Sequence, residues 1–87
     1  MSPDDAVLVG TDQISLRDAY IAMYRFVDEY WKRGGRRDGS VTLLRHALGP
    51  AADPHDETAL QTSDPASWSD WLAAVRAARA KGLPEEL

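Results

Sequence analysis

His55 stands between Asp53 and the Asp56-Glu57 pair, so imidazole and carboxylate ligands fall within five residues. Such a cluster would bind a hard or borderline divalent cation, although its spacing matches no metal motif. A second constellation sets His46 against the hydroxyls of Ser40, Ser63, Ser67 and Ser69, from which a Ser-His-Asp arrangement can be drawn. No strained nucleophile elbow accompanies it, and Ser63 and Ser67 are better explained by a helix start beside them. The third is cationic: Lys32, Arg33, Arg36 and Arg37 crowd into six residues around Gly34-Gly35, a knot able to grip phosphate or an acidic protein surface. The glycines lack the order of a phosphate loop, and no strand precedes them.

Three segments must position these groups. Ser15 opens the first, with Asp18 three residues on in a near match to a capping box. Stepping 100 degrees per residue from Leu16 gathers Ala19, Tyr20, Met23, Tyr24, Phe26, Val27, Tyr30 and Trp31 into an arc of about 160 degrees, opposite the charged residues. That pattern predicts a helix over 15–33, ended by Gly34-Gly35. Ile21 falls among the charges, where it is free to make an added contact. Asp38 or Ser40 can cap a short second helix over 40–48, which Gly49-Pro50 stops. Residues 49–64 carry four acids and two prolines and read as an acidic loop with little structure of its own. Asp64-Pro65 starts a third helix over 65–81, with Trp68, Trp71, Leu72, Val75 and Ala78 on one face and Gly82 and Pro84 at its end.

The expected fold class is therefore all-α: a small three-helix domain over 15–83 with long first and third helices packed antiparallel and a short second helix. An N-terminal arm over 1–14 precedes it and a tail over 84–87 follows. Ala6 to Val9 could be a short strand, but with no partner strand in the sequence an arm laid over the helices is preferred. The 87 residues, 44% hydrophobic and 28% charged, suit one core, and no second domain has room. On this reading the aromatic residues of the first and third helices fill the core, which leaves only the exterior for work.

The spacing Asp18-Ala19-Tyr20-Ile21-Ala22-Met23-Tyr24-Arg25-Phe26, then Tyr30, then Leu43-Leu44, then Asp64-Pro65-Ala66-Ser67-Trp68-Ser69-Asp70-Trp71 resembles a family of small bacterial proteins of uncharacterised function. The resemblance runs over about residues 15–78, and its closing motif is the specific part. It implies a helical layout and lends no catalytic residue to any position. The chain departs from that pattern in residues 49–62 and in the Lys32 to Arg37 knot.

Charge is unevenly spread along the chain. The formal net charge is −4, with a basic block over 32–45 between two acidic ones. An acidic surface of this kind repels nucleic acid and anionic membrane and favours a basic partner. Absence of cysteine removes disulfides and thiolate sites, and nothing in the first residues looks like a secretory leader, so a cytoplasmic setting is expected.

The leading functional expectation is a non-enzymatic acidic module that binds another protein, in the manner of an immunity or inhibitor protein, with no cofactor. Asp53, Asp56, Glu57 and Asp64 would supply the field, and Ile21, Tyr24 and Trp31 the apolar anchors. The alternative is a nucleic-acid accessory protein using Lys32, Arg33, Arg36 and Arg37 on phosphate. A weak metal-binding enzyme at His55 comes third, and a homodimer would complete a core this small.

Overall fold

The computed structural model describes residues 7–84. Three helices and one hairpin follow in the order α1 (Leu16–Arg33), α2 (Gly39–Leu48), β1 (Pro50–Ala52), β2 (Leu60–Thr62) and α3 (Ala66–Lys81). No described helix is long and apolar enough to cross a membrane.

Local chemistry accounts for the helix ends. Ser15 Oγ accepts from the Asp18 amide at 3.0 Å and Asp38 Oδ1 accepts from the Val41 amide at 3.0 Å, each satisfying an amide that a helix start leaves without a partner. At the end of α1 the chain turns through Gly35 at φ 73° and Arg36 at φ 60°, and the Arg36 amide donates back to Trp31 O at 3.0 Å. Gly82, at φ 69°, closes α3 with its amide on Ala78 O. Pro65 precedes the first residue of α3, and Asp64 Oδ1 accepts from the Ala66 amide at 3.0 Å.

The fold is largely helical but not purely all-α. The stretch 49–64, expected to be an unstructured loop, contains the antiparallel pair β1–β2 in the register Pro50↔Thr62, Ala51↔Gln61 and Ala52↔Leu60. Its acids build the turn. Asp53 Oδ1 accepts from the amides of His55 and Asp56, and Asp56 Oδ1 accepts from the Thr58 amide and hydroxyl. Side chains of this kind substitute for backbone turn partners. Leu60 anchors the hairpin by burying all but 5% of its surface. Strands of three residues are too short to show an alternating pattern, which is why periodicity does not reveal them.

The helices also pack differently from the antiparallel α1–α3 pair expected. α1 lies most closely against α2, not along α3. Trp31 Nε1 donates to Thr42 Oγ1 at 2.8 Å, and Arg45 crosses from α2 to Asp28 at 2.6 Å while its guanidinium lies 4.3 Å from the Trp31 ring centroid. α3 reaches α1 through Tyr20, whose ring meets Trp68 and Trp71 edge-on at 5.6 and 5.4 Å. The same phenol donates to Leu48 O at 2.8 Å, so one side chain joins three helices.

The core is correspondingly small. Among the described residues Tyr20 and Leu60 are buried, whereas Phe26 is 68% and Tyr30 57% exposed. These two were expected inside. Because α2 takes the Tyr24, Asp28 and Trp31 flank of α1, the described residues leave the opposite flank uncovered. The arm over 7–14 is likewise exposed and forms no strand, with a turn in which the Asp12 amide donates to Val9 O; Ala6 lies outside the described residues.

Candidate functional site

Hairpin, α1 and α3 together enclose an open groove of about 490 Å³. Its apolar floor is Leu16, Trp68 and Leu72, all half-buried. One wall is the hairpin turn with Asp56 and Glu57, and the other is the first turn of α1 with Ser15 and Arg17. The Thr58 hydroxyl and amide hold the Asp56 carboxyl below the usual carboxylate range, so Asp56 keeps its charge further into acid than an ordinary carboxylate. Asp53 lies half-buried beneath the turn it organises, and Asp64 sits apart from the groove at the start of α3. Asp53, Asp56 and Glu57 thus form one acidic end, while Asp64 belongs to a helix start.

A groove with an apolar floor and a mostly anionic rim suits an apolar side chain carried on a basic segment. Arg17 on the far wall adds a donor for a backbone carbonyl or carboxylate. Leu16, Arg17, Trp68 and Leu72 were not among the expected site residues, because helical periodicity assigns Leu16, Trp68 and Leu72 to the core and Arg17 to solvent. Placement of the hairpin opposite the α1 N-terminus makes them a site, and no local sequence signal carries that placement.

The expected anchors lie elsewhere. Tyr24 and Trp31 are half-buried in the α1–α2 junction, where Arg45 stands 6.0 Å from the Tyr24 ring centroid and Arg36 stands 5.2 Å from that of Trp31. Half-buried Ile21 lines a shallower depression with Tyr24 and Pro50. Asp28 is the hub of this junction: Arg45 and then Lys32 donate to its carboxylate and hold its pKa below the ordinary value.

The basic knot is partly spent inside the molecule. Lys32 pairs with Asp28 at 2.9 Å, Arg36 covers Trp31, and Arg33 lies 6.0 Å from the Tyr30 ring. Arg33 and Arg37, with Tyr30, Gly34 and Asp38, line a shallow open depression at the α1–α2 turn.

The other constellations do not assemble. No group of three or more His, Asp or Glu side chains among the described residues is placed to hold a metal ion, and Asp53 and Asp56 are occupied by turn amides. The hydroxyls serve the backbone: Ser67 Oγ donates to Ala47 O, Ser69 Oγ to Ala66 O, and Ser63 Oγ approaches Gly49 O at 3.4 Å. None bonds to His46 or His55 among the described residues.

Comparison with protein-family models, with curated proteins and with solved structures finds no match for this chain.

Proposed function

We propose that the chain is a cytoplasmic, non-enzymatic module whose groove over Leu16, Trp68 and Leu72 receives an apolar side chain from a basic segment of another protein. One observation carries this reading: an apolar floor and a rigid acidic turn share one groove. The turn is held by four hydrogen bonds to Asp53 and Asp56, so its charges are presented at little ordering cost on binding. Steering by Asp53, Asp56 and Glu57 would raise the association rate more than the final affinity, a property that suits an immunity or inhibitor protein meeting a basic target. Phosphate binding by Lys32, Arg33, Arg36 and Arg37 draws less support, because Lys32 and Arg36 are engaged with Asp28 and Trp31.

A photo-crosslinking residue at position 57, on the groove wall, and at exposed position 76, on α3, tests this in cells. The expected result is a basic protein captured from position 57 and not from 76. Its association should slow with added salt, and by about tenfold in the variant Asp53→Asn/Asp56→Asn/Glu57→Gln. Asparagine keeps the turn acceptors and removes only charge. Equal capture from both positions, or rates indifferent to salt and to the triple substitution, would refute it.

A further inference from the structure

The uncovered flank of α1 bears Asp18, Ala22, Phe26, Glu29, Tyr30 and Arg33, every one of them exposed. Two features separate it from an ordinary solvated face. Phe26 and Tyr30 are large, apolar and successive at i,i+4, a pairing soluble helices seldom leave open together. Beside them the charged edge reads Asp18, Arg25, Glu29, Arg33, alternating in sign along the helix.

An alternating edge is self-complementary when a helix meets a reversed copy of itself. With Phe26 on a twofold axis, positions whose numbers total about 52 face one another. Arg33 then meets Asp18 of the second copy, Arg25 meets Glu29, and Tyr30 lies over the small Ala22. A parallel pairing would put Asp18 on Asp18 and Arg33 on Arg33. We infer that the Phe26–Tyr30 flank of α1 docks on a second copy of this chain, antiparallel about Phe26, with Arg33–Asp18 pairs at each end.

The surface is adequate and no more. About four turns of helix laid side by side bury on the order of 1,000 to 1,200 Å² in total, near the lower bound of specific interfaces. Interfaces of that size belong to weak, reversible pairs, and a dissociation constant of about 10 µM is the working value. Leu43 and Leu44 on α2 are not needed for the pairing, and the acidic groove is formed by other residues, so this inference does not rest on the proposed partner.

Sedimentation equilibrium of the full chain from about 2 to about 200 µM spans the expected constant. The apparent mass should climb from 9.6 kDa toward twice that value. Phe26→Asp should stay monomeric throughout with an unchanged helical circular dichroism spectrum, since the side chain it replaces is exposed. Register is read by cysteine, which the chain lacks. Ala22→Cys mixed with Tyr30→Cys should oxidise to a mixed dimer faster than either alone, because like positions lie about 12 Å apart along the helix. Asp18→Arg and Arg33→Asp should each weaken the dimer about tenfold or more, and a chain carrying both should recover it. A wild-type chain that remains at 9.6 kDa, or Phe26→Asp associating as the wild type does, overturns the dimer. Failure of the mixed disulfide together with failure of the charge swap overturns the antiparallel arrangement.

Discussion

Replacing Tyr20 by phenylalanine removes a single oxygen from the side chain that joins all three helices. Its hydroxyl donates to Leu48 O at 2.8 Å, in the last turn of α2, where helix carbonyls have no intrahelical donor. Losing a hydrogen bond at such a part-buried acceptor costs about 1 to 2 kcal/mol, or a melting temperature lower by roughly 5 to 12 °C for a domain of this size. The ring itself contributes more. Tyr20 is fully buried against Trp68 and Trp71, so Tyr20→Ala should cost about 3 to 5 kcal/mol. A domain of this length has about 4 to 13 kcal/mol in all, and a core of two buried residues among those described places it near the lower end, so Tyr20→Ala should be largely unfolded at 37 °C. Burial also raises the Tyr20 pKa, which means the phenolate is tolerated better in the unfolded chain. The stability it contributes is complete below about pH 10 and lost as pH rises through the raised value. Urea unfolding followed by far-ultraviolet dichroism, with the near-ultraviolet signal of the two indoles, measures each quantity, and Phe26→Ala is the control. At about 2 µM, below the proposed dimer constant, that control should change stability by less than about 0.5 kcal/mol, because the position is exposed in the single chain. A Tyr20→Phe variant within about 0.3 kcal/mol of wild type, or a Phe26→Ala as damaging as Tyr20→Ala, would refute this account of the core.

Asp38→Ala should destabilise by about 1 kcal/mol in the same urea experiment, since Asp38 Oδ1 caps α2, and Asp38→Ser should restore most of that. Asp28 has a depressed pKa in the folded chain, owing first to its bond from Arg45 and then to Lys32, so its contribution is present above about pH 4 and lost as pH falls through the depressed value. Asp28→Asn should therefore be less stable than wild type at neutral pH and show a shallower acid limb; identical acid limbs would remove the Asp28–Arg45 junction as a source of stability.

Helices were legible because their ends are written in single residues. Ser15, Gly34-Gly35, Asp38, Gly49-Pro50, Asp64 and Gly82 mark boundaries within a residue or two of those observed. The hairpin was not, because its acids look like solvated charge until their side chains are seen accepting turn amides. Nor was the division of the α1 arc. Periodicity shows that Tyr20, Tyr24, Phe26, Tyr30 and Trp31 share one broad side, but not how much of it two short neighbours can cover. Arg45 settles the matter by reaching Asp28 and Trp31, which draws α2 to one flank and strips the other. The groove was hidden for the same reason, since it arises where the hairpin meets two helices distant in sequence.

With little more than Tyr20 and Leu60 buried among the described residues, this chain would gain stability from any partner that covered its remaining apolar surface. Any partner that binds the folded form alone adds RT ln(1 + [L]/Kd), which is about 2.7 kcal/mol at a hundredfold excess over Kd. For self-association on the α1 flank, ligand and protein are the same species, so the melting temperature must rise with protein concentration. Between about 2 and about 200 µM the gain approaches 1 to 2 kcal/mol per subunit, or roughly 5 to 10 °C. Phe26→Asp, which keeps the core and removes the contact, should melt at one temperature across the whole range. Differential scanning calorimetry on the two chains separates the effects cleanly: a concentration-independent wild type denies the flank its role, whereas a concentration-dependent Phe26→Asp moves the association to another surface, for which exposed Leu43 and Leu44 on α2 offer an apolar alternative.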